Sequence, residues 1–342
     1  MAFMFKRTIS LLLSVAVILF MSVTGFNPVN YFAGDSDAMS LGLAAPAPLS
    51  VDEPAPAAAP LLTKFIKDDF VGGGGKKIPS LRSLRDKDLK QRLEQRLNAN
   101  PVWRKLIRNK RMSVGVVGLD EDPGRTSYAA INGKHMMYAA SLPKIAVLAA
   151  AHDAIERGDL RETAEVTRDM RLMIAKSNNA ATTRMIDRVG FEAIANTMTD
   201  PELKLYDPEH GGGLWVGKRY AAGGKRNPDP MKGISHAATT EQICRFFYLL
   251  ANNELISEQS SKKMKSYLVD PELHHKFVNV LDRVAPNAKV YRKSGSWSSF
   301  HADVAMVKGP NRDYIITALV DDPNGERIIR ELGKVLDDLM KG

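Results

Sequence analysis

The segment Tyr138–Ala154, which reads YAASLPKIAVLAAAHDA, places the strongest constraint on how this chain folds. It is rich in Ala, Leu and Ile and long enough to form a core helix, which other elements then have to cover. One feature does not suit an ordinary buried helix. Ser141 opens the segment, and Lys144 follows three residues later beside the apolar run. An ammonium group in that position needs a reason beyond packing.

The pattern of the remaining chain predicts what surrounds this helix. The 342 residues are 44% hydrophobic, which is enough apolar material for one large core or two modest ones. An amphipathic helix and a hairpin precede Tyr138, and a block of helices, further strands and a closing helix at Gly325–Met340 follow it. This order predicts an α+β fold, an antiparallel sheet covered by helices with an all-helical subdomain. The helical patterns in the central block are Thr167–Lys176, Ala180–Val189 and Thr239–Asn252.

The N-terminal part of the sequence predicts export. A basic pair, Lys6 and Arg7, precedes the charge-free run Ile9–Phe26, so residues 1–34 are predicted to be a signal peptide or a signal anchor. Residues 35–82 are rich in Ala, Pro and Gly and predict a linker that ends in a flexible hinge. The folded domain is therefore predicted to span residues 83–342, in the periplasm or anchored to the outer face of the cytoplasmic membrane.

Ser141 and Lys144 have a spacing that suits nucleophilic catalysis. Residues three apart share one helix face, so a neutral Lys144 amine can take the proton of the Ser141 hydroxyl. Free backbone N–H groups near the first helical turn suit an oxyanion. Two later stretches add polar groups: AKSNNAATT presents Ser177 and Asn179 just before a helix, and YRKSGSW presents Lys293 on a strand.

Taken together in this order, the three motifs resemble those of the class A β-lactamase and penicillin-binding protein superfamily. The resemblance extends roughly from Ser83 to Gly342. It implies that Ser141 is the acylated nucleophile, that Lys144 is its proton partner, and that Ser177 passes a proton to the leaving nitrogen. The substrate-binding residues that it implies are Asn179, Lys293, Ser294, Gly295 and Ser296.

Within this resemblance, Asn179 would hydrogen-bond a substrate amide, and Lys293 would hold Ser177 and attract a substrate carboxylate. The backbone N–H groups of Ser141 and Ser296 would form the oxyanion hole. Ser294 replaces the usual threonine of the superfamily and keeps its hydroxyl.

The sequence also departs from the superfamily pattern. The middle motif reads S-N-N instead of S-D-N, and the connection between the first two motifs is short. Residues 207–233 form a Gly-rich, basic excursion where the superfamily has a compact Ω loop. Trp215 and Tyr220 in this excursion either line the cleft or fix the loop to the body.

Release of the acyl group in a β-lactamase requires a carboxylate that activates water. Continuing the spacing of the superfamily from Ser177 brings that position to Glu209, whereas Glu202 comes too early. His210 stands where the β-lactamases have a proline, and three glycines follow it. A plain surface role is the alternative for Glu209.

The function that follows is a serine hydrolase acting on a β-lactam or a D-amino-acid amide through an acyl-enzyme on Ser141. Two alternatives stay open: a D,D-carboxypeptidase or endopeptidase of peptidoglycan, and a non-catalytic relative that binds peptidoglycan. The net charge of +9 suits an anionic neighbour without choosing one. The predicted partners are a small β-lactam or a stem peptide. No nucleic acid partner is predicted. Contact with the membrane is expected only through an N-terminal anchor, and a monomer is predicted.

No cofactor or metal site is predicted. Cys244 is the single cysteine, so an intrachain disulfide is excluded, and its apolar surroundings predict a core thiol. The neighbours His274 and His275 are expected on a helix, where they point to different sides and form a surface pair without a shared metal face. His301 is expected either near the cleft or in a structural hydrogen bond.

Overall fold

The structure, a computed structural model, describes residues 70–75 and 77–341. The predicted signal segment and most of the predicted linker lie outside the described residues, so both remain predictions. Among the helices of the described part, none combines the length and the hydropathy that crossing a membrane requires.

The helices are α1 (Lys87–Asn98), α2 (Pro101–Arg108), α3 (Lys144–Glu156), α4 (Ala164–Ala175), α5 (Asn179–Val189), α6 (Phe191–Thr199), α7 (Thr240–Ala251), α8 (Glu258–Leu268), α9 (Phe277–Val284) and α10 (Gly325–Met340). The strands are β1 (Phe70–Val71), β2 (Ile78–Pro79), β3 (Met112–Gly118), β4 (Ser127–Ile131), β5 (Met137–Tyr138), β6 (Tyr206–Asp207), β7 (Gly212–Gly213), β8 (Trp215–Val216), β9 (His236–Ala238), β10 (Lys289–Trp297), β11 (Phe300–Gly309) and β12 (Arg312–Asp321). The predicted helical patterns correspond to α4, α5 and α7 with small shifts at their ends, and α10 has the predicted bounds.

A five-stranded antiparallel sheet with the order β10-β11-β12-β3-β4 forms the centre of the molecule. Side chains alternate between its faces, as they must in a pleated strand. In β11, Val304 and Met306 join one core, while Ala305 and Val307 join the other. Both faces are therefore covered by helices, which confirms the predicted α+β architecture.

The two cores divide the helices between them. Helices α1, α2, α9 and α10 cover one face of the sheet. Helix α1 is the amphipathic helix predicted before Tyr138, and it buries Leu89, Leu93 and Leu97 there. Helices α3 to α8 form the second core with the other face. Cys244 of α7 is fully buried in this second core, as predicted for a core thiol.

Helix α3 lies in the middle of the second core. Nearly all its side chains are buried, including that of Lys144. The predicted start of this helix is Ser141 or just after it, and the helix begins at Lys144, because Ser141–Pro143 form a tight turn first. The carbonyl of Ser141 accepts a hydrogen bond from the Lys144 N–H at 3.3 Å, so the two residues lie one turn apart.

A small three-stranded sheet, β5-β9-β8, positions the turn that holds Ser141. Strand β5 ends three residues before Ser141, and the Ala139 N–H donates to the His236 carbonyl at 2.8 Å. This sheet therefore connects the start of α3 to the excursion that contains β8.

Two local expectations differ from the structure. The last part of the predicted linker is packed: Val71 pairs with Ile78 across a glycine turn, and both are only 1% exposed. Apolar side chains on either side of the glycines supply the burial that a flexible hinge lacks. The expectation of a helix at His274 and His275 is wrong, because α9 starts only at Phe277 and the Lys276 backbone before it has φ 56°.

Candidate active site

Lys144 lies at the centre of a compact polar cluster. Its Nζ donates to the Ser177 carbonyl at 2.6 Å, to Ser177 Oγ at 3.2 Å and to Asn179 Oδ1 at 2.8 Å. Burial lowers the pKa of Lys144 to about 7, because removing an ammonium from water disfavours its charged form. The buried ammonium noticed in the sequence is thus fully hydrogen-bonded to the second motif.

Lys293 approaches the same hydroxyl from the opposite side. Its Nζ donates to Ser177 Oγ at 2.9 Å and to the Ser294 carbonyl at 2.7 Å. Burial, and then the charge of Lys144, lower the pKa of Lys293 well below its usual range. With the Nζ groups of two lysines donating to it, Ser177 Oγ has its acceptor sites filled and its own proton free to donate.

The second motif owes its geometry to a local backbone feature. Ser177 has φ 52°, a left-handed conformation that a residue with a side chain rarely adopts. Asn178 then caps α5, and its side chain accepts from the Ala181 N–H at 2.8 Å. The asparagine that departs from S-D-N therefore performs a capping role, while Asn179 is turned toward Lys144.

Gly295 brings strand β10 against the turn that holds Ser141. A Cβ at this position would lie 2.7 Å from the backbone nitrogen of Ser141, so only a glycine fits. The next residue, Ser296, is exposed on this edge strand. The backbone N–H groups expected to form the oxyanion hole, at Ser141 and Ser296, thus come from adjacent segments.

Tyr220 covers the other side of Lys144. Its ring centroid lies 4.6 Å from Lys144 Nζ, and its hydroxyl donates to the Ala140 carbonyl at 3.0 Å. The ring also packs against His236 at a centroid distance of 4.3 Å. Tyr220 therefore lines the cleft and also fixes the excursion to the turn before α3. From the sequence these two roles are alternatives, and the structure combines them.

The rest of the excursion is held by internal hydrogen bonds. Trp215 is buried, and its Nε1 donates to the Asn227 carbonyl at 2.7 Å, so it fixes the loop. The buried Asp229 carboxylate accepts from the hydroxyl of Tyr206 at 2.9 Å and from backbone N–H groups of the following turn. The Gly-rich, basic excursion is thus held together largely by hydrogen bonds to the Asp229 carboxylate.

Glu209 is not brought to this cluster. It lies exposed in a short 3₁₀ turn, and the neighbouring Gly211 packs against the carbonyl of Lys134. Lys134 precedes β5, whereas Ser141 follows it, so Gly211 contacts the chain on the other side of β5 from Ser141. Within residues 70–75 and 77–341, no hydrogen bond or ion pair joins the Glu209 side chain to Lys144 or Asn179.

One group of side chains has the composition of a metal site. Asp207, Glu209 and His210 place ligand atoms within 4.8 Å of one another. Two of the three side chains already have protein partners. Asp207 pairs with Arg82 at 2.8 Å and with His210 Nδ1 at 2.9 Å. We assign no metal to them.

The histidines noted in the sequence have local partners. His274 Nδ1 lies 2.8 Å from an Asp282 oxygen at the surface. His275 is half-buried beside Arg292, so the two histidines do not form the expected surface pair. His301 Nδ1 lies 3.4 Å from Ser296 Oγ, which places it near the cleft.

Sequence reasoning missed several residues around the cleft. Tyr138 makes edge contacts with His236 and Phe300, and these rings extend the aromatic surface beside Tyr220. Lys276 is buried beneath Gly295, at a position with no motif signal. Periodicity cannot find such residues, because they come together from segments that are far apart in the chain.

Comparison with known proteins finds one matching protein family. Residues 168–340 match the model of the beta-lactamase enzyme family, Beta-lactamase2, a stretch that includes Ser177, Asn179 and Lys293 and begins after Ser141. No curated protein matches the chain.

Solved structures share the fold. The beta-lactamase from Sphaerobacter thermophilus DSM 20745 is 17% identical over 66% of this chain and 89% of its own, with a TM-score of 0.53. A penicillin G acyl-enzyme complex of a PBP-A mutant is 19% identical over 76% and 98%, with a TM-score of 0.55. A class A beta-lactamase from Bacteroides cellulosilyticus DSM 14838 is 16% identical over 73% and 98%, also with a TM-score of 0.55.

Proposed function

Because the chain belongs to the beta-lactamase enzyme family, we propose that it is a serine hydrolase that opens a β-lactam or a D-amino-acid amide through an acyl-enzyme on Ser141. The observation that carries the proposal is the convergence of Lys144 and Lys293 on Ser177 Oγ. Burying two lysines beside one hydroxyl costs free energy of folding, so stability does not explain the arrangement. The arrangement does suit a hydroxyl that gives its proton to a leaving nitrogen.

The proposed acylation uses these groups in turn. Neutral Lys144 takes the proton of Ser141 as its oxygen attacks the amide carbon, and the N–H groups of Ser141 and Ser296 stabilise the resulting oxyanion. Ser177 then donates its proton to the nitrogen, the C–N bond breaks, and Lys144 returns a proton to Ser177. In the free protein, Ser141 Oγ is not among the hydrogen-bond partners described for Lys144, and such contacts commonly tighten when substrate binds.

Intact-mass measurement after incubation with benzylpenicillin tests the proposal directly. We expect an adduct of one penicillin per chain, located on the peptide that contains Ser141. A protein that neither gains this mass nor hydrolyses the drug would support the non-catalytic alternative.

The pH dependence of acylation should follow Lys144. The amine accepts a proton only when neutral, and burial lowers its pKa to about 7. The acylation rate should therefore rise with pH up to about 7 and fall about tenfold for each pH unit below it. Stopped-flow measurement with a chromogenic cephalosporin gives this profile, with the exposed Lys262→Met as control. A flat profile across this range would exclude Lys144 as the base.

One observation favours the D,D-peptidase form of this chemistry over a β-lactamase. Among the described residues, no carboxylate forms a hydrogen bond or an ion pair with Lys144 or Asn179, and the ring of Tyr220 lies beside Lys144 Nζ. An aromatic ring supplies no acceptor for the proton of a deacylating water. We therefore infer slow release of a penicilloyl group.

The edge strand also suits a peptide substrate. Strand β10 is the edge strand of the five-stranded sheet and lies next to Ser141, and Trp297 at its end is 68% exposed. An extended stem peptide can add to such an edge and pack on the tryptophan. The predicted export of the chain would bring it to peptidoglycan.

Glu209→Gln should leave the lifetime of the acyl-enzyme unchanged within about twofold, because the carboxylate lies away from the site. Intact-mass spectra taken over time after a penicillin pulse measure that lifetime. Glu202→Gln, the other glutamate considered, is the matched control. If Glu209→Gln instead prolonged the acyl-enzyme by about a hundredfold or more, Glu209 would be the general base, and the D,D-peptidase preference would fail.

A further inference from the structure

Lys276 is a fully buried lysine that none of the three motifs includes. Its Nζ donates to the Gly295 carbonyl at 2.6 Å, to Ser296 Oγ at 2.8 Å and to the Ala302 carbonyl at 3.1 Å. Its backbone has φ 56°, a conformation that costs free energy for a residue with a Cβ. The strained backbone of Lys276 thus places its ammonium group beneath β10.

Within the part of the chain that the structure describes, the charge of Lys276 is not paired directly with a carboxylate. Asp303, a buried acid on the neighbouring strand β11, is held by Arg292 at 2.7 Å and accepts from the Phe277 N–H at 3.1 Å. The hydrogen bonds of Lys276 go to uncharged oxygens instead. Such a charge acts mainly on the peptide groups that it contacts.

The contacted peptide is the one that joins Gly295 to Ser296. In a trans peptide the C=O and the N–H point in opposite directions, so Lys276 holds the carbonyl and the Ser296 N–H points away from it. Gly295 lies against the backbone nitrogen of Ser141, which places the other end of the peptide beside the nucleophile.

We propose that Lys276 polarises the Gly295–Ser296 peptide and so strengthens the Ser296 N–H as a donor to the oxyanion. This role rests on the proposed acylation of Ser141. A cation on the carbonyl draws electron density from the amide, and the N–H then donates more strongly to developing negative charge. Lys276 is a positioning residue here, because its burial separates it from the substrate.

Lys276→Met tests the proposal by removing the charge while keeping the length of the side chain. We expect the acylation rate to fall about tenfold, less than the loss of a whole oxyanion-hole donor. In the acyl-enzyme, the infrared carbonyl band of the ester should move to higher wavenumber, because a weaker donor polarises it less. Lys265→Met, which removes a half-buried lysine bonded to Asn253, is the control.

A second variant addresses folding, because Lys276→Met leaves buried carbonyls without donors. Lys276→Gln keeps an N–H donor and removes the charge, and it should show the same two changes. A folded variant with an unmoved carbonyl band would overturn the proposal, since a merely structural role leaves that band in place.

A pair of thioester substrates separates this role from direct binding of a substrate carboxylate. One has a leaving group with a free carboxylate, and the other has its methyl ester. Loss of rate on both substrates supports polarisation, whereas loss confined to the carboxylate substrate overturns it. A wild-type protein that forms no acyl-enzyme refutes the proposed function itself, whereas a wild type that acylates as fast as Lys276→Met refutes only the role of Lys276.

Discussion

Replacing Ser141 with alanine should abolish covalent labelling by a fluorescent penicillin. The hydroxyl is the only group in the proposed mechanism that forms a bond to the acyl carbon, so no slower route to the adduct remains. The side chain is partly exposed in a turn outside α3, and its loss should leave the fold intact. Gel fluorescence and intact-mass spectra measure the adduct, and thermal unfolding checks the fold.

Ser266→Ala is the matched control for this change. Ser266 is exposed on α8, and its hydroxyl donates only to the Lys263 carbonyl of the same helix at 2.7 Å. It should label like the wild-type protein. A Ser141→Ala protein that still forms the adduct would place the nucleophile elsewhere and refute the acyl-enzyme proposal.

Gly295→Ala should lower the rate of acylation by about a hundredfold or more. The added Cβ would lie 2.7 Å from the backbone nitrogens of both Ser141 and Leu142, so β10 has to move away from the nucleophile. A displacement on the order of 1 Å in a catalytic group costs about a hundredfold in rate. Because the displaced strand also carries the Ser296 N–H, the oxyanion hole should open at the same time.

The same glycine-to-alanine change at Gly124 controls for backbone entropy. There the new Cβ would meet only the Asp122 side chain in an exposed loop, at 3.2 Å. Stopped-flow acylation rates, measured beside thermal unfolding, compare the two variants. If Gly295→Ala acylated as fast as Gly124→Ala, the close approach of β10 to Ser141 would have no role in the reaction.

The motifs could be predicted from the sequence because each is a short local pattern. Ser141 and Lys144 are one turn apart in any helical start, and Ser177 and Asn179 are separated by one residue. Short spacings of this kind do not depend on how distant elements pack. The α+β architecture was predicted for the same reason, since the alternation in β11 and the stripe of α1 follow from periodicity.

Counting along the chain led to Glu209, and its catalytic role stays a prediction. The structure has Glu209 exposed in a short turn whose following residue, Gly211, lies against Lys134, and the ring of Tyr220 lies beside Lys144. The path of the excursion depends on the Asp229 carboxylate and on the Trp215 contact with Asn227. Neither contact has a signature in a single sequence.

By itself, the sequence determined the class of fold and the three polar motifs, because periodicity and short-range spacing dictate which residues share a face. Only the tertiary structure decided which groups surround Lys144 and which stay outside the cleft. It also decided that Lys276 reaches the Gly295 carbonyl from a segment 19 positions away. The physical reason is that long-range contacts depend on how separate elements pack. A buried charged group needs hydrogen-bond acceptors, and the packing decides which oxygen atoms lie within its reach.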